Sequence, residues 1–231
     1  EGLIALLTLS ALEIVLGIDN IIFIAIVAGR LPENQRDKAR ILGLTLAVVT
    51  RIALLFSLTF LMGLTAPLFT VFEHPFSGRD LVLLIGGLFL IAKATHEIHV
   101  KFDHASDNNL KATKTSSFIS VLGQILALDI IFSLDSVITA VGMVKEISIM
   151  VAAVIISIGI MLIFSKSIVT FIDNNPTMKM LALSFLILVG VMLVAESTGQ
   201  HINKAYIYFA MAFSLVVEML NIRLKNKTLT K

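Results

Sequence analysis

Glu13, Asp19, Asp129 and Asp135 are carboxylates set inside apolar runs long enough to cross a bilayer, and Asn20 and Ser136 follow the two aspartates directly. Carboxylate, amide and hydroxyl oxygens in that setting suit a hard divalent cation, Mg²⁺, Ca²⁺ or Mn²⁺, rather than a softer metal. Acids kept protonated by burial would instead suit a proton relay. The chain contains no cysteine, so a thiolate metal site and a disulfide framework are both excluded.

The unusual residues recur at one spacing. "LEIVLGIDNIIFIAIV" (12–27) aligns without gaps on "LDIIFSLDSVITAVGM" (128–143), which matches Glu13 with Asp129, Asp19 with Asp135 and Asn20 with Ser136. Further along, "GLFLIAKAT" (87–95) aligns with "GVMLVAEST" (190–198) and sets Lys93 opposite Glu196, while Arg51 has a counterpart in Lys166. A charge at the bilayer centre costs roughly 2.5–3.5 kcal/mol, so these eight charged groups would together cost on the order of 20 kcal/mol if unpaired. Five acids (Glu13, Asp19, Asp129, Asp135, Glu196) face three bases (Arg51, Lys93, Lys166), which leaves two negative charges. One divalent cation balances that excess, with Arg51, Lys93, Glu196 and Lys166 as charge-compensating or gating groups. The plainer alternative is a set of buried salt bridges that only hold helices together.

Helical geometry constrains the ligands. Glu13 and Asn20 are seven residues apart and share a face, about 10 Å apart along the axis, as do Asp129 and Ser136; Asp19 and Asp135 point about 100° away. Local unwinding near Gly17 and Ser133 would aim both acids of a helix at one point and free carbonyls as ligands. The expectation is that Asp19 and Asp135 face each other as metal ligands with Asn20 and Ser136, and that Glu13 and Asp129 are further ligands or the next stop along the path.

The elements that must position these groups are membrane helices. Hydrophobic residues make up 57% of the 231, charged residues only 15%, and mean hydropathy is +0.97, far from a soluble domain. A criterion of about 20 apolar residues predicts spans at 3–29, 40–63, 81–98, 117–143, 149–170, 179–197 and 205–222. Pro67, Pro75 and Gly78 mark a loop after the second span, and "HVKFDHASDNNLKATKTSS" is the long polar linker. The expected fold is therefore all-α: a single transmembrane domain over 1–231, seven transmembrane helices as two inverted three-helix repeats (1–98 and 117–197) joined by a cytoplasmic linker (99–116), with the seventh helix and a basic tail over 198–231. Three spans per repeat force the second to insert upside down, a transporter architecture with its site near the midplane.

Twelve basic residues (Arg30, Arg36, Lys38, Arg40, Lys101, Lys111, Lys114, Lys179, Arg223, Lys225, Lys227 and Lys231) fall on the side of the C-terminus and three (Arg79, Lys145 and Lys204) on the other, which predicts a cytoplasmic C-terminus and an external N-terminus. The first apolar run is too long for a cleavable signal peptide. A net charge of +2 gives no reason to expect nucleic acid as a partner. "HEIH" (96–99) lacks the spacing of a zinc-protease helix and reads as a helix end entering the linker. "GID" and "FSLD" likewise miss the glycine-aspartate pattern of intramembrane proteases. No nucleophile, base and oxyanion arrangement can be assembled, so no enzyme and no organic cofactor are expected.

"LEIVLGIDN" and "LDIIFSLDSV" resemble the two signature segments of the TerC family of bacterial membrane proteins, within the broader LysE-type transporter group; the resemblance extends to "KATHE" and "VEMLNIR". It implies Mn²⁺ efflux as substrate transport, Ca²⁺ handling in some relatives, and a role for Glu13, Asp19, Asn20, Asp129, Asp135 and Ser136 as the acidic motif. The expected function is a divalent-cation exporter of the bacterial inner membrane, with Mn²⁺ as substrate and Ca²⁺ or Mg²⁺ as the other candidates. The competing class is a non-transporting subunit that senses metal or docks partner proteins; expected partners are the cation, the lipid bilayer, and a homo-oligomer or other membrane proteins.

Overall fold

The computed structural model describes the chain apart from residues 1, 58–62, 72–73, 107–116, 144–145, 201 and 230–231, and apart from the side chains at 16, 18, 19, 71, 74, 103–106, 135, 139–143 and 226–229. Among the described residues, seven helices are long and apolar enough to cross a membrane: α1 (Gly2–Ala28), α2 (Glu33–Phe56), α3 (Gly78–Ser106), α4 (Phe118–Met143), α5 (Ile147–Asn174), α6 (Pro176–Ser197) and α7 (Lys204–Leu229). The fold is all-α and polytopic, as the hydropathy pattern requires.

Differences from expectation lie at the helix ends. Helix α2 starts at Glu33 rather than 40, because "ENQRDKAR" is a good helix-forming stretch with an acid in the first turn, where the helix dipole favours it. Arg36 Nε ties that turn back to the Leu31 carbonyl at 2.9 Å. Helix α3 continues beyond 98 to Ser106 because nothing from Lys93 onward breaks it, and Lys93 pairs with Glu97 one turn on at 3.6 Å. "HEIH" is therefore inside a helix rather than at its end. The proline-marked loop is a small antiparallel hairpin, β1 (Pro67–Val71) with β2 (His74–Ser77). Pro67 occupies the first strand position, where its missing N–H costs no ladder bond, and Phe69 stacks on Phe76 at 5.6 Å. Ser77 and Asp80 then cap α3: the Ser77 backbone N–H donates to Asp80 Oδ2 at 2.9 Å, and Ser77 Oγ accepts from the Asp80 N–H at 3.2 Å.

The expected unwinding does not occur. Helices α1 and α4 are continuous through Gly17 and Ser133, and intact helices keep their carbonyls hydrogen-bonded. Gly17 serves packing instead: a Cβ there would run into Met161 Sδ of α5.

The chain divides into two compact units, residues 1–82 with 111–173, and residues 83–110 with 174–231. Each takes elements from both halves of the sequence. The first holds α1, α2, the hairpin, α4 and α5; α4 packs against α1 and α2, and Gly43 of α2 admits Ile125 of α4. Its core includes Phe23, Leu44, Leu55, Leu128 and Ile158.

The second unit holds most of α3 with α6 and α7. There α3 and α6 meet glycine to glycine: a Cβ on Gly87 would lie 2.6 Å from the Gly190 carbonyl oxygen, and one on Gly190 would lie 2.8 Å from that of Gly87. The next neighbours are reciprocal too, Val194 for Gly87 and Ile91 for Gly190. These are equivalent positions in the 87–95 and 190–198 alignment. Helix α6 begins with Pro176 in its first turn. It ends in a left-handed Gly199 (φ 81°), with the Gln200 N–H bonded to the Ala195 carbonyl at 3.0 Å and the Gly199 N–H to that of Glu196 at 3.1 Å.

Candidate cation site

Within the first unit, Arg51 of α2 brings two repeat-related acids together. It is 2% exposed, and Glu13 of α1 and Asp129 of α4 are 6% and 4% exposed. Arg51 Nη1 donates to Glu13 Oε2, while Nε and Nη2 both reach Asp129 Oδ1 at 3.3 Å. Arginine suits this place because its planar fork serves two carboxylates at once and does not deprotonate. Asp129 has further partners: Asn20 Nδ2 donates to Oδ1 at 3.4 Å and Thr50 Oγ1 to Oδ2 at 2.9 Å.

Asn20 and Ser136 each sit by the other repeat's acid. Asn20 of α1 donates to Asp129 of α4, and Ser136 of α4 lies beside Glu13 of α1. Ser136 Oγ donates to the Ser133 carbonyl at 3.2 Å. Two buried hydroxyls flank the acids, Ser10 one turn before Glu13 and Ser133 one turn after Asp129, whose carboxylate it approaches.

Next to the cluster is a small cavity lined by Asn20, Arg51 and Asp129 on its polar side and by Phe23, Leu128 and Met161 among its apolar groups. Its volume of about 10 Å³ is close to that of one water-sized sphere. With both acids ionised, two carboxylates against one guanidinium carry one net negative charge, and Asp129 and Arg51 of that cluster line the cavity. Among the described residues, no three His, Asp or Glu side chains converge as a metal-ligand group.

Of the residues predicted from sequence, Glu13, Asn20, Asp129, Ser136 and Arg51 come together. The Asp19 and Asp135 side chains, expected to face each other, lie outside the described residues; among the described residues the acids brought together are Glu13 and Asp129. The other charges have their own partners: Lys93 pairs with Glu97, Glu196 with Lys204 at 3.9 Å, and Lys166 with Asp37 at 3.8 Å. Lys166 is 70% exposed, unlike its sequence counterpart Arg51. Thr50 escaped the sequence reading because a threonine inside an apolar helix carries no signal until the fold sets it beside an acid.

The family model for the TerC integral membrane proteins matches residues 1–231. A UPF0053 protein of Haemophilus influenzae is 58% identical over 225 residues, which cover 97% of this chain and 95% of that protein. The UPF0053 inner membrane protein YgdQ of Escherichia coli is 55% identical over 224 residues, covering 97% of this chain and 93% of its own. YoaE, another UPF0053 inner membrane protein of E. coli, is 50% identical over 216 residues, which are 94% of this chain but 42% of that longer protein. No solved structure matches. By the full-length family match and these relatives, the chain belongs to the TerC family of integral membrane proteins.

Proposed function

We propose that this protein exports a divalent cation across the bacterial inner membrane, with Mn²⁺ as its principal substrate. The observation that carries the reading is the single arginine shared by Glu13 and Asp129, which leaves a buried negative charge beside a cavity of one-water size. A lone excess carboxylate in the membrane needs a cation or a proton. Oxygen donors from Glu13, Asp129 and Asn20 favour a hard cation, with Ser136, Ser10 and Ser133 as neutral donors close by. Asp19 and Asp135 are the remaining ligand candidates.

Alternating access would follow from an inverted repeat. The reciprocal placement of Asn20 by Asp129 and Ser136 by Glu13, and the mutual contact of Gly87 and Gly190, support that relation. The distribution of basic residues supports an external N-terminus, so export would run toward that side.

The test is Mn²⁺ flux in proteoliposomes carrying the purified protein beside Asp129→Asn, Asp19→Asn and Asp135→Asn variants that retain their fold. Flux that disappears on neutralising the acids supports an exporter. Mn²⁺ binding without flux would overturn transport in favour of a metal sensor or docking subunit.

A further inference from the structure

Resting on that reading of the site, we propose that the Arg51 guanidinium is a tethered cation that occupies the carboxylate site in this conformation and must leave when a divalent cation binds. Asp129 Oδ1 lies within hydrogen-bonding reach of three donors, two from Arg51 and one from Asn20, and Oδ2 accepts from Thr50. An oxygen so surrounded has no lone pair directed at a metal. The guanidinium also holds Glu13 Oε2, so it spans the line along which one ion would bridge the two acids. The adjoining cavity is too small to hold a hydrated ion beside Arg51.

In this conformation the guanidinium itself fills the place between the two acids. With both acids ionised, exchange takes them from a net charge of −1 with the arginine to zero with a divalent metal, and the displaced guanidinium, still tethered to α2, takes a partner elsewhere. Competition by a tethered cation weakens metal binding and thereby aids release, since a cation that leaves is replaced by the arginine rather than by nothing. A group that merely braces the bundle would act in the opposite sense: its loss would loosen the acids and weaken metal binding.

The experiment measures Mn²⁺ binding to the full-length protein in detergent by calorimetry, for the parent, Arg51→Lys, Arg51→Gln and, as the control on the site itself, Asp129→Asn. Lysine keeps the charge and the fold but cannot bridge two carboxylates as the guanidinium fork does. Arg51→Lys should bind Mn²⁺ several-fold more tightly than the parent and Arg51→Gln at least tenfold more tightly, with flux in vesicles slowed because release is impaired. Equal or weaker binding in Arg51→Lys overturns the proposal while leaving the cation site standing, and it does so even where Arg51→Gln fails to fold. Absence of Mn²⁺ binding in the parent, or binding unchanged in Asp129→Asn, would overturn the cation site and the tethered competitor together.

Discussion

Replacing Gly87 by alanine tests the close meeting of α3 and α6. The new Cβ would lie 2.6 Å from the Gly190 carbonyl oxygen, against the 3.4 Å at which ordinary contact begins. The obstacle is backbone, with the Val194 nitrogen at 3.0 Å beside it, so no side-chain rotation relieves it. The helices must part locally by the 0.8 Å difference between those distances. A gap of about 0.5–1 Å forfeits a quarter to a half of the van der Waals attraction across it, and overpacking costs about 1–3 kcal/mol. In lipid this matters more than it would in water, because packing between small residues, not hydrophobic burial, holds membrane helices together. Gly123→Ala in α4 is the control, since nothing lies within 4 Å of its Cβ position. There alanine should be neutral or stabilise by up to about 1 kcal/mol through helix propensity. Reversible unfolding in mixed micelles reads both. Gly87→Ala as stable as the parent, or the two variants shifting together, would refute the close approach.

Ser77→Ala removes the cap on α3 and should cost about 1 kcal/mol in the same unfolding assay, with Ser77→Thr, which keeps the hydroxyl that donates to Asp80 Oδ2, recovering most of it; a neutral alanine variant would sink the capping assignment. Gly17→Ala should cost less than Gly87→Ala, because the group in its way is the flexible Met161 thioether. Adding Met161→Ala should then give a coupling of opposite sign to the single losses, measurable in a double-mutant cycle; simple additivity would mean that the two residues do not meet. Lys166→Ala breaks only an exposed pair and should change stability by less than about 0.5 kcal/mol, with Mn²⁺ flux intact. Lost flux in that variant would assign Lys166 to the transport path.

The number and approximate placement of the helices were legible because bilayer thickness imposes a length on apolar runs that few soluble segments reach. Helix ends were not: "ENQRDKAR" and "HEIHVKFD" are polar enough to read as loops, yet both contain strong helix formers and neither contains glycine or proline. The residues of the site were legible as a set, since charges in apolar runs are conspicuous and recur at one spacing. Their pairing was not. Asp19 and Asp135, expected to face each other, have side chains outside the described residues, and which acids meet is decided between helices, where Arg51 arrives from α2 and gathers Glu13 and Asp129. The sequence counterpart of that arginine, Lys166, is equally basic and ends on the surface beside Asp37, a distinction that depends on rotation about the helix axis.

That single arginine gives the site a handedness with respect to the membrane. Glu13 and Asp129 are equivalent in the repeat, and a site made only of such pairs would look the same from either aqueous side. Arg51 belongs to α2, while α5, the matching helix, contains no arginine at all. On the exporter reading, an ion approaching from one side and an ion approaching from the other meet different arrangements of charge, and the rates of entry and exit on the two faces are free to differ. A duplicated scaffold becomes directional once one copy holds its cation between the acids and the other leaves its own, Lys166, exposed.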